Sequence, residues 1–232
     1  MLSIVTINRN NAAGLQRTID SLRSQTCQDF EWLCIDGLSD DESMMLAKDF
    51  QRKNDIVLSE RDSGIYNAMN KGLRIASKRM ILFLNSGDVF YDNTAIERLS
   101  SNSLEHFDFV MYGFKIRDVI RAPRGLWWRF WSMPTSHQSI LYSRNLLLRF
   151  PFNESYRYAA DYDQFLRINQ QKLSFFSSPQ TLIVNEPYGT DNNLCKVITE
   201  YKESLIANGY PSWWANALYW AKSRYLPIAL SK

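Results

Sequence analysis

The chain has 232 residues, 45% hydrophobic and 14% aromatic, with 27 basic against 24 acidic side chains and a formal net charge of +3. That length and apolar content bury a sizeable core and fit one domain with an appendage. No recognised motif accompanies the basic residues, so nucleic-acid binding is disfavoured. No apolar run reaches the length of a bilayer span, and MLSIVTINRN lacks the basic region and cleavage site of a signal peptide. Cys27, Cys34 and Cys195 have neither metal spacing nor an even count. The expectation is a cytoplasmic protein with reduced thiols, Cys34 in its core.

LSIVTI at 2–7 reads as an apolar strand, followed by a helix over 12–24 with Leu15, Ile19 and Leu22 on one stripe. EWLCID is a second strand ending at Asp36. The turn GLSDD opens a helix near Glu42, with Asp40 and Asp41 as charges favoured at its start. Residues 55–59 form a short third strand. Asp62 or Ser63 then caps a helix with Ile65, Met69, Leu73 and Ala76 inward and Asn67, Asn70, Lys71 and Arg74 opposite. MILFL at 80–84 is too short and too continuously apolar for a surface helix, so it reads as a central strand ending at Asn85.

This alternation predicts an α/β fold: a mostly parallel sheet with helices on both faces. Right-handed crossovers bring the strand ends, with Asn8, Asp36 and Asp88, to one edge. Asn-Ser-Gly-Asp is also ordinary turn chemistry, and an acid there more often accepts local hydrogen bonds than binds a ligand. No G-x-G-x-x-G or Walker sequence is present, which argues against a dehydrogenase or P-loop enzyme.

Farther along, His137 in PTSHQS precedes an apolar strand ILY, and Asp161 in AADYDQFLR precedes a helix. Asp163 and Arg167, four apart on that helix, read as a surface ion pair. Trp127, Trp128 and Trp131 form one aromatic cluster, and Trp213, Trp214 and Trp220 another. As a helix, the second cluster places Trp213, Ala217, Leu218 and Trp220 on one side with Lys222 across from Trp213. Aromatics beside basic residues suit a membrane interface; the alternative is that both clusters are core.

LSIVTINRN, SLRSQTCQDFEWLCIDGLSDDES, DSGIYNAMNKGLRIASKRMILFLNSGD, SHQS and AADYDQFLR, in that order, resemble the inverting family 2 glycosyltransferases of the GT-A fold. The nearest likeness is to bacterial transferases that build O-antigen, colanic acid or other exopolysaccharide repeat units. The resemblance covers residues 1–190, with a nucleotide-sugar half over 1–90 and an acceptor half over 91–190. Residues 191–232 then form a C-terminal helical, membrane-associating segment.

The resemblance implies transfer of a hexose from a nucleoside diphosphate sugar to a hydroxyl of a polyprenyl-diphosphate-linked oligosaccharide, at the inner face of the cytoplasmic membrane. The diphosphate leaving group calls for a divalent cation, Mg²⁺ or Mn²⁺, with Asp88 as its ligand. Here the family's acidic tetrad is Asn85, Ser86, Gly87, Asp88, so one acid remains. Asp36 matches the residue that binds the base or ribose, and Arg9 replaces a stacking aromatic between Asn8 and Asn10. Asn8, Arg9, Asp36, Asp62, Asn85, Asp88 and His137 form the implied donor set. Asp161 matches the general base, with Ala160 in the first place of the usual acidic pair. A catalytically weak nucleotide-sugar or glycan binding module is the alternative, disfavoured by retention of Asp36, Asp88 and Asp161 together.

Overall fold

A computed structural model describes residues 1–101, 104–187 and 193–230. The strands are β1 (Leu2–Asn8), β2 (Phe30–Asp36), β3 (Ile56–Ser59), β4 (Met80–Phe83), β5 (Val89–Phe90), β6 (Phe109–Ile116), β7 (Val119–Arg121), β8 (Ile140–Ser143) and β9 (Phe175–Asn185). The helices are α1 (Ala12–Arg23), α2 (Ser43–Phe50), α3 (Ile65–Ile75), α4 (Ala95–Ser101), α5 (Arg144–Arg149), α6 (Ala160–Asn169), α7 (Leu194–Ala207) and α8 (Ser212–Leu230). The sheet runs β3-β2-β1-β4-β8-β6-β9-β5, with β7 paired to β6.

β3, β2, β1 and β4 are mutually parallel, and their register aligns Asn8 with Asp36 and Asp36 with Ser59. Side chains alternate between faces along a strand. Leu2, Ile4, Trp32, Cys34, Met80 and Leu82 therefore join α1, α2 and α4 in one buried cluster. Val5, Ile7, Leu33, Ile35, Ile81 and Phe83 join α3, α5 and α6 in a second. Strands covered on both faces need continuous apolar runs, which is what β1, β2 and β4 contain. Each large side chain buried this way contributes roughly 1.5–3 kcal/mol. Beyond β4 the sheet becomes mixed: β8 is antiparallel to β4 and β6, whereas β9 is parallel to β6.

Several local expectations change. The helix after β3 is capped at Gly64 with no side-chain cap; Asp62 instead accepts from the Gly64 N–H at 3.0 Å, closing the turn ahead of it. Asn70 is buried and exchanges hydrogen bonds with the Phe152 backbone, so α3's polar face docks a distant segment. Asp163 is buried too. It pairs with Arg167 at 2.9 Å and accepts from Asn208 at 3.0 Å, a tie between α6 and the end of α7 rather than a surface pair.

The C-terminal helices pack on α6 through a small third cluster of Ala159, Tyr162, Leu166, Leu205 and Ala215. The first tryptophan cluster starts a 3-10 turn at Leu126–Phe130 in which no residue is fully buried. Trp213 and Trp220 are 70% and 60% exposed, whereas Lys222 on the other side of α8 is 3% exposed. Its ammonium lies 4.0 Å from the Tyr201 ring centroid and 5.6 Å from those of Trp131 and Tyr162. Burial lowers its pKa to about 7. Lys222 thus serves the core rather than a basic outer face. No helix among the described residues is long and apolar enough to cross a membrane.

Candidate active site

The C-terminal edge of the parallel strands carries four loops, because parallel connections return each chain to the same end. Asp36, at the tip of β2, is 1% exposed. One of its oxygens accepts from Asn8 Nδ2 at 2.9 Å and Ser39 Oγ at 2.5 Å, the other from Ser39 N–H at 2.9 Å and Ser59 Oγ at 2.8 Å. Burial raises its pKa, but these donors outweigh burial and hold it below the ordinary carboxylate value. Asp36 is therefore an ionised, fully satisfied anchor. In this arrangement it holds the loops rather than offering a free oxygen to a base.

Those loops meet at Gly37, which follows Asp36: a Cβ built there would lie 2.5 Å from Asp62 Oδ2 and 3.2 Å from Arg9 Cδ. Arg9 and Asp62 thus close over the Gly37 backbone, with the Arg9 side chain exposed. Asn10, at φ 49°, turns the chain sharply beside them, its N–H bound to Ser39 Oγ at 2.8 Å. Asp41 accepts from the N–H groups of Ser43 and Ala12, so it starts α2 and also fixes the head of α1.

Asp88 lies across this edge, in the turn after β4, and is 4% exposed. Gly87, at φ +105°, makes the turn possible, and its N–H donates to Thr18 Oγ1 at 3.0 Å while that hydroxyl donates to the Asp88 carbonyl at 2.9 Å. One Asp88 carboxylate oxygen accepts from Glu186 N–H at 2.8 Å and Asn185 Nδ2 at 3.3 Å. Burial raises its pKa to about 6, against the opposing hydrogen bonds of Glu186, Asn185 and Gln138. Two amide oxygens nearby, Asn85 Oδ1 and Asn185 Oδ1, are buried without a partner. A buried carboxylate beside orphaned neutral oxygens suits a hard divalent cation. No group of three or more His, Cys, Asp or Glu side chains positioned to hold a metal occurs among the described residues.

Asp161 stands in the first turn of α6, where the helix dipole favours a negative charge. Tyr66, from α3, donates its hydroxyl to Asp161 at 3.0 Å. Burial, then the charge of Asp161, raises the Tyr66 pKa well above its usual value, so the phenol stays a donor. His137 feels the same carboxylate: burial lowers its pKa while Asp161 pulls it up, and its Nδ1 is buried without a partner. His137 and Gln138 are successive residues of one 3-10 turn, His137–Ser139. One faces the field of Asp161 and the other hydrogen-bonds Asp88. That turn lies beside both carboxylates.

Several residues here escaped the sequence reading. Tyr66 has the spacing of an ordinary inward helix residue. Glu200 of α7 accepts from three consecutive N–H groups, of Arg157, Tyr158 and Ala159, at 3.0, 2.7 and 2.8 Å, and so fixes the segment leading to Asp161. Glu186 had a legible signal: it is an acid placed directly after the strand end TLIVN.

Residues 3–165 match the model for Glycosyl transferase family 2. A "PGL/p-HBAD biosynthesis glycosyltransferase" of Mycobacterium bovis (strain BCG / Pasteur 1173P2) is 33% identical over 176 residues, 70% of this chain and 67% of that protein. Among solved structures, S. aureus TarS 1-349 superposes with a TM-score of 0.70 at 17% identity, over 94% of this chain and 69% of that one. The mannosyltransferase PcManGT from Pyrobaculum calidifontis, in complex with GDP-Man and Mn²⁺, gives 0.69 at 16% identity over 99% and 73%. The solved structures share the fold; the family match and the mycobacterial relative carry the assignment. The chain belongs to glycosyl transferase family 2.

Proposed function

We propose that this protein is an inverting, cation-dependent transferase that moves a hexose from a nucleoside diphosphate sugar to a hydroxyl of a polyprenyl-diphosphate-linked oligosaccharide. The observation that carries the reading is that one turn, His137–Ser139, lies beside both Asp88 and Asp161. It gives one reaction centre two carboxylates in unlike settings, which is how acid–base and electrostatic roles are separated. Solved relatives in complex with UDP-GlcNAc, and with GDP-Man and Mn²⁺, support the donor class.

The base and ribose bind over the Gly37 turn, where the exposed Arg9 guanidinium plane stacks on the base and Asp62 accepts from ribose hydroxyls, while Asp36 and Asn8 anchor the loops beneath. Asp88 would hold a divalent cation with the amide oxygens of Asn85 and Asn185, and that ion would offset charge on the leaving diphosphate. Asp161 takes the proton of the acceptor hydroxyl as its oxygen attacks the anomeric carbon. The bond to the diphosphate oxygen breaks on the opposite side, and configuration inverts. Tyr66 orients Asp161. His137, neutral at pH 7 through burial, hydrogen-bonds the acceptor.

Support for a lipid-linked acceptor is the exposed aromatic surface of Trp127, Trp213, Trp220 and Tyr225, with the Arg224 guanidinium 4.0 Å from the Trp220 ring centroid. Amphipathic aromatics beside cations suit an anionic leaflet, which supports a peripheral position at the cytoplasmic face. The mycobacterial relative's name, which refers to PGL/p-HBAD biosynthesis, leaves the acceptor class to experiment. A thermal-shift screen of UDP- and GDP-sugars, with Mn²⁺ or EDTA, tests the donor, and NMR of the transfer product tests the stereochemistry. The expected result is a Mn²⁺-dependent shift and an inverted anomer. Failure of every donor to bind, or a retained anomer, contradicts the proposal.

A further inference from the structure

β9 ends against Asp88 in a way that a simple surface ion pair does not require. The Glu186 N–H and Asn185 Nδ2 both donate to one Asp88 oxygen. A Cβ on Gly87 would come within 2.9 Å of Glu186 Oε2, so the Glu186 carboxylate lies over the Gly87–Asp88 turn. Glu186 in turn pairs with Arg17 of α1, whose side chain is half exposed. Asn185 is buried, its amide directed at Asp88, and its Oδ1 has no partner. A buried orphaned acceptor on the residue that joins Asp88 to Glu186 is costly unless a ligand completes it.

We propose that Glu186 is the second carboxylate of the cation site, forming with Asp88 and Asn185 Oδ1 an oxygen face for Mg²⁺ or Mn²⁺, and that Arg17 holds Glu186 while the site is empty. This rests on the reading of Asp88 as a cation ligand. Hard cations of this size take oxygen donors and keep waters and substrate phosphates in their remaining positions, so two carboxylates and an amide suffice. Arg17 competes with the ion for Glu186. Once the ion is bound, its guanidinium is released beside the incoming diphosphate, where a fork of donors matches phosphate oxygens.

The test is titration of the full-length protein with MnCl₂ alone, without nucleotide, reading free Mn²⁺ by electron paramagnetic resonance. Glu186→Gln should weaken Mn²⁺ binding by roughly tenfold or more, at least the effect of losing a supporting ligand contact. Arg17→Gln breaks the same ion pair but should tighten Mn²⁺ binding or leave it unchanged. If Glu186→Gln binds as wild type does while Asp88→Asn does not, Glu186 is no ligand and Asp88 keeps its role. If Arg17→Gln weakens binding as much as Glu186→Gln, the ion pair is structural and the proposal fails. If the wild type itself fails to bind Mn²⁺, the cation reading of Asp88 falls, and this inference with it.

Discussion

Asp36 and Asp88 sit at the same sheet edge and are almost equally buried, yet the protein treats them in opposite ways. Asp36 receives four hydrogen bonds, two on each oxygen, and is held ionised. Asp88 receives two donors on one oxygen from the end of β9 and a further hydrogen bond from Gln138, yet burial outweighs them and lifts its pKa to about 6. Burial alone therefore does not decide what a carboxylate is for; the supply of donors does. The donors of Asp36 stabilise its charge; under the proposed function the charge of Asp88 is stabilised by a bound cation instead.

The largest expected effect tests the proposed general base. Asp161→Asn should lower transfer by roughly 10² to 10⁴, the usual worth of a general base, with donor affinity unchanged. Loss of donor binding would place Asp161 with the structural carboxylates instead. Tyr66→Phe, which removes a hydroxyl donor from Asp161, should lower turnover less and shift the acidic limb of the pH–rate profile upward. A flat profile would make Tyr66 a packing residue.

Next in size is the anchor itself. Asp36→Asn sets an amide N–H₂ against Ser39 N–H or Asn8 Nδ2, and it should destabilise the fold by about 1–3 kcal/mol as buried donors lose their acceptor. Urea unfolding measures this. A neutral result would mean the four bonds rearrange freely and the contrast with Asp88 is weaker than drawn.

Lys222 gives a smaller effect with a definite sign. Its folded pKa of about 7 lies below the model value of 10.5, so between these values the unfolded chain binds more protons. Stability should rise with pH from about 7 to about 10.5 and be insensitive to this group below 7. Lys222→Met removes the burial penalty, keeps the stem's volume and should flatten that slope. It should raise Tm at pH 7 by about 2–4 °C, the response of a chain this size to roughly 1 kcal/mol. Loss of stability instead would show that the rings of Tyr201, Trp131 and Tyr162 hold the cation better than burial disfavours it. Smallest is the aromatic surface: Arg224→Gln should weaken binding to anionic vesicles by roughly fivefold, about 1 kcal/mol. Absence of wild-type sedimentation with such vesicles would remove the membrane reading.

The parallel half of the sheet was legible because β1, β2 and β4 are buried on both faces and their sequences say so without help from distant segments. The places of Asp88, His137 and Asp161 at element junctions were legible for a related reason, since the local pattern marks each junction. Asn70, Asp163 and Lys222 were misread as outward-facing because their partners, the Phe152 backbone, Asn208 and three aromatic rings, come from distant segments. Periodicity reports which face a residue occupies but not what will cover that face. Lys222 is across from Trp213 as the helix pattern predicts, but the apolar-looking side is the open one. The saturation of Asp36 was equally hidden, since it depends on Ser39 and Ser59 from two different loops.

The most direct test of the contrast compares Asp36→Asn with Asp88→Asn in the metal-free protein at pH 7, and then with Mn²⁺ and UDP or GDP. An asparagine at position 88 keeps an oxygen for Glu186 N–H and Asn185 Nδ2 while losing the buried charge. Because the wild-type pKa of about 6 exceeds the model 3.8, the cost of ionising Asp88 is fully present at pH 7. Asp88→Asn should therefore be as stable as wild type or more so without metal, and lose the stabilisation that Mn²⁺ with nucleotide confers. Asp36→Asn should be destabilised in both conditions. Equal destabilisation of the two variants without metal, or a full Mn²⁺ response in Asp88→Asn, would contradict the account.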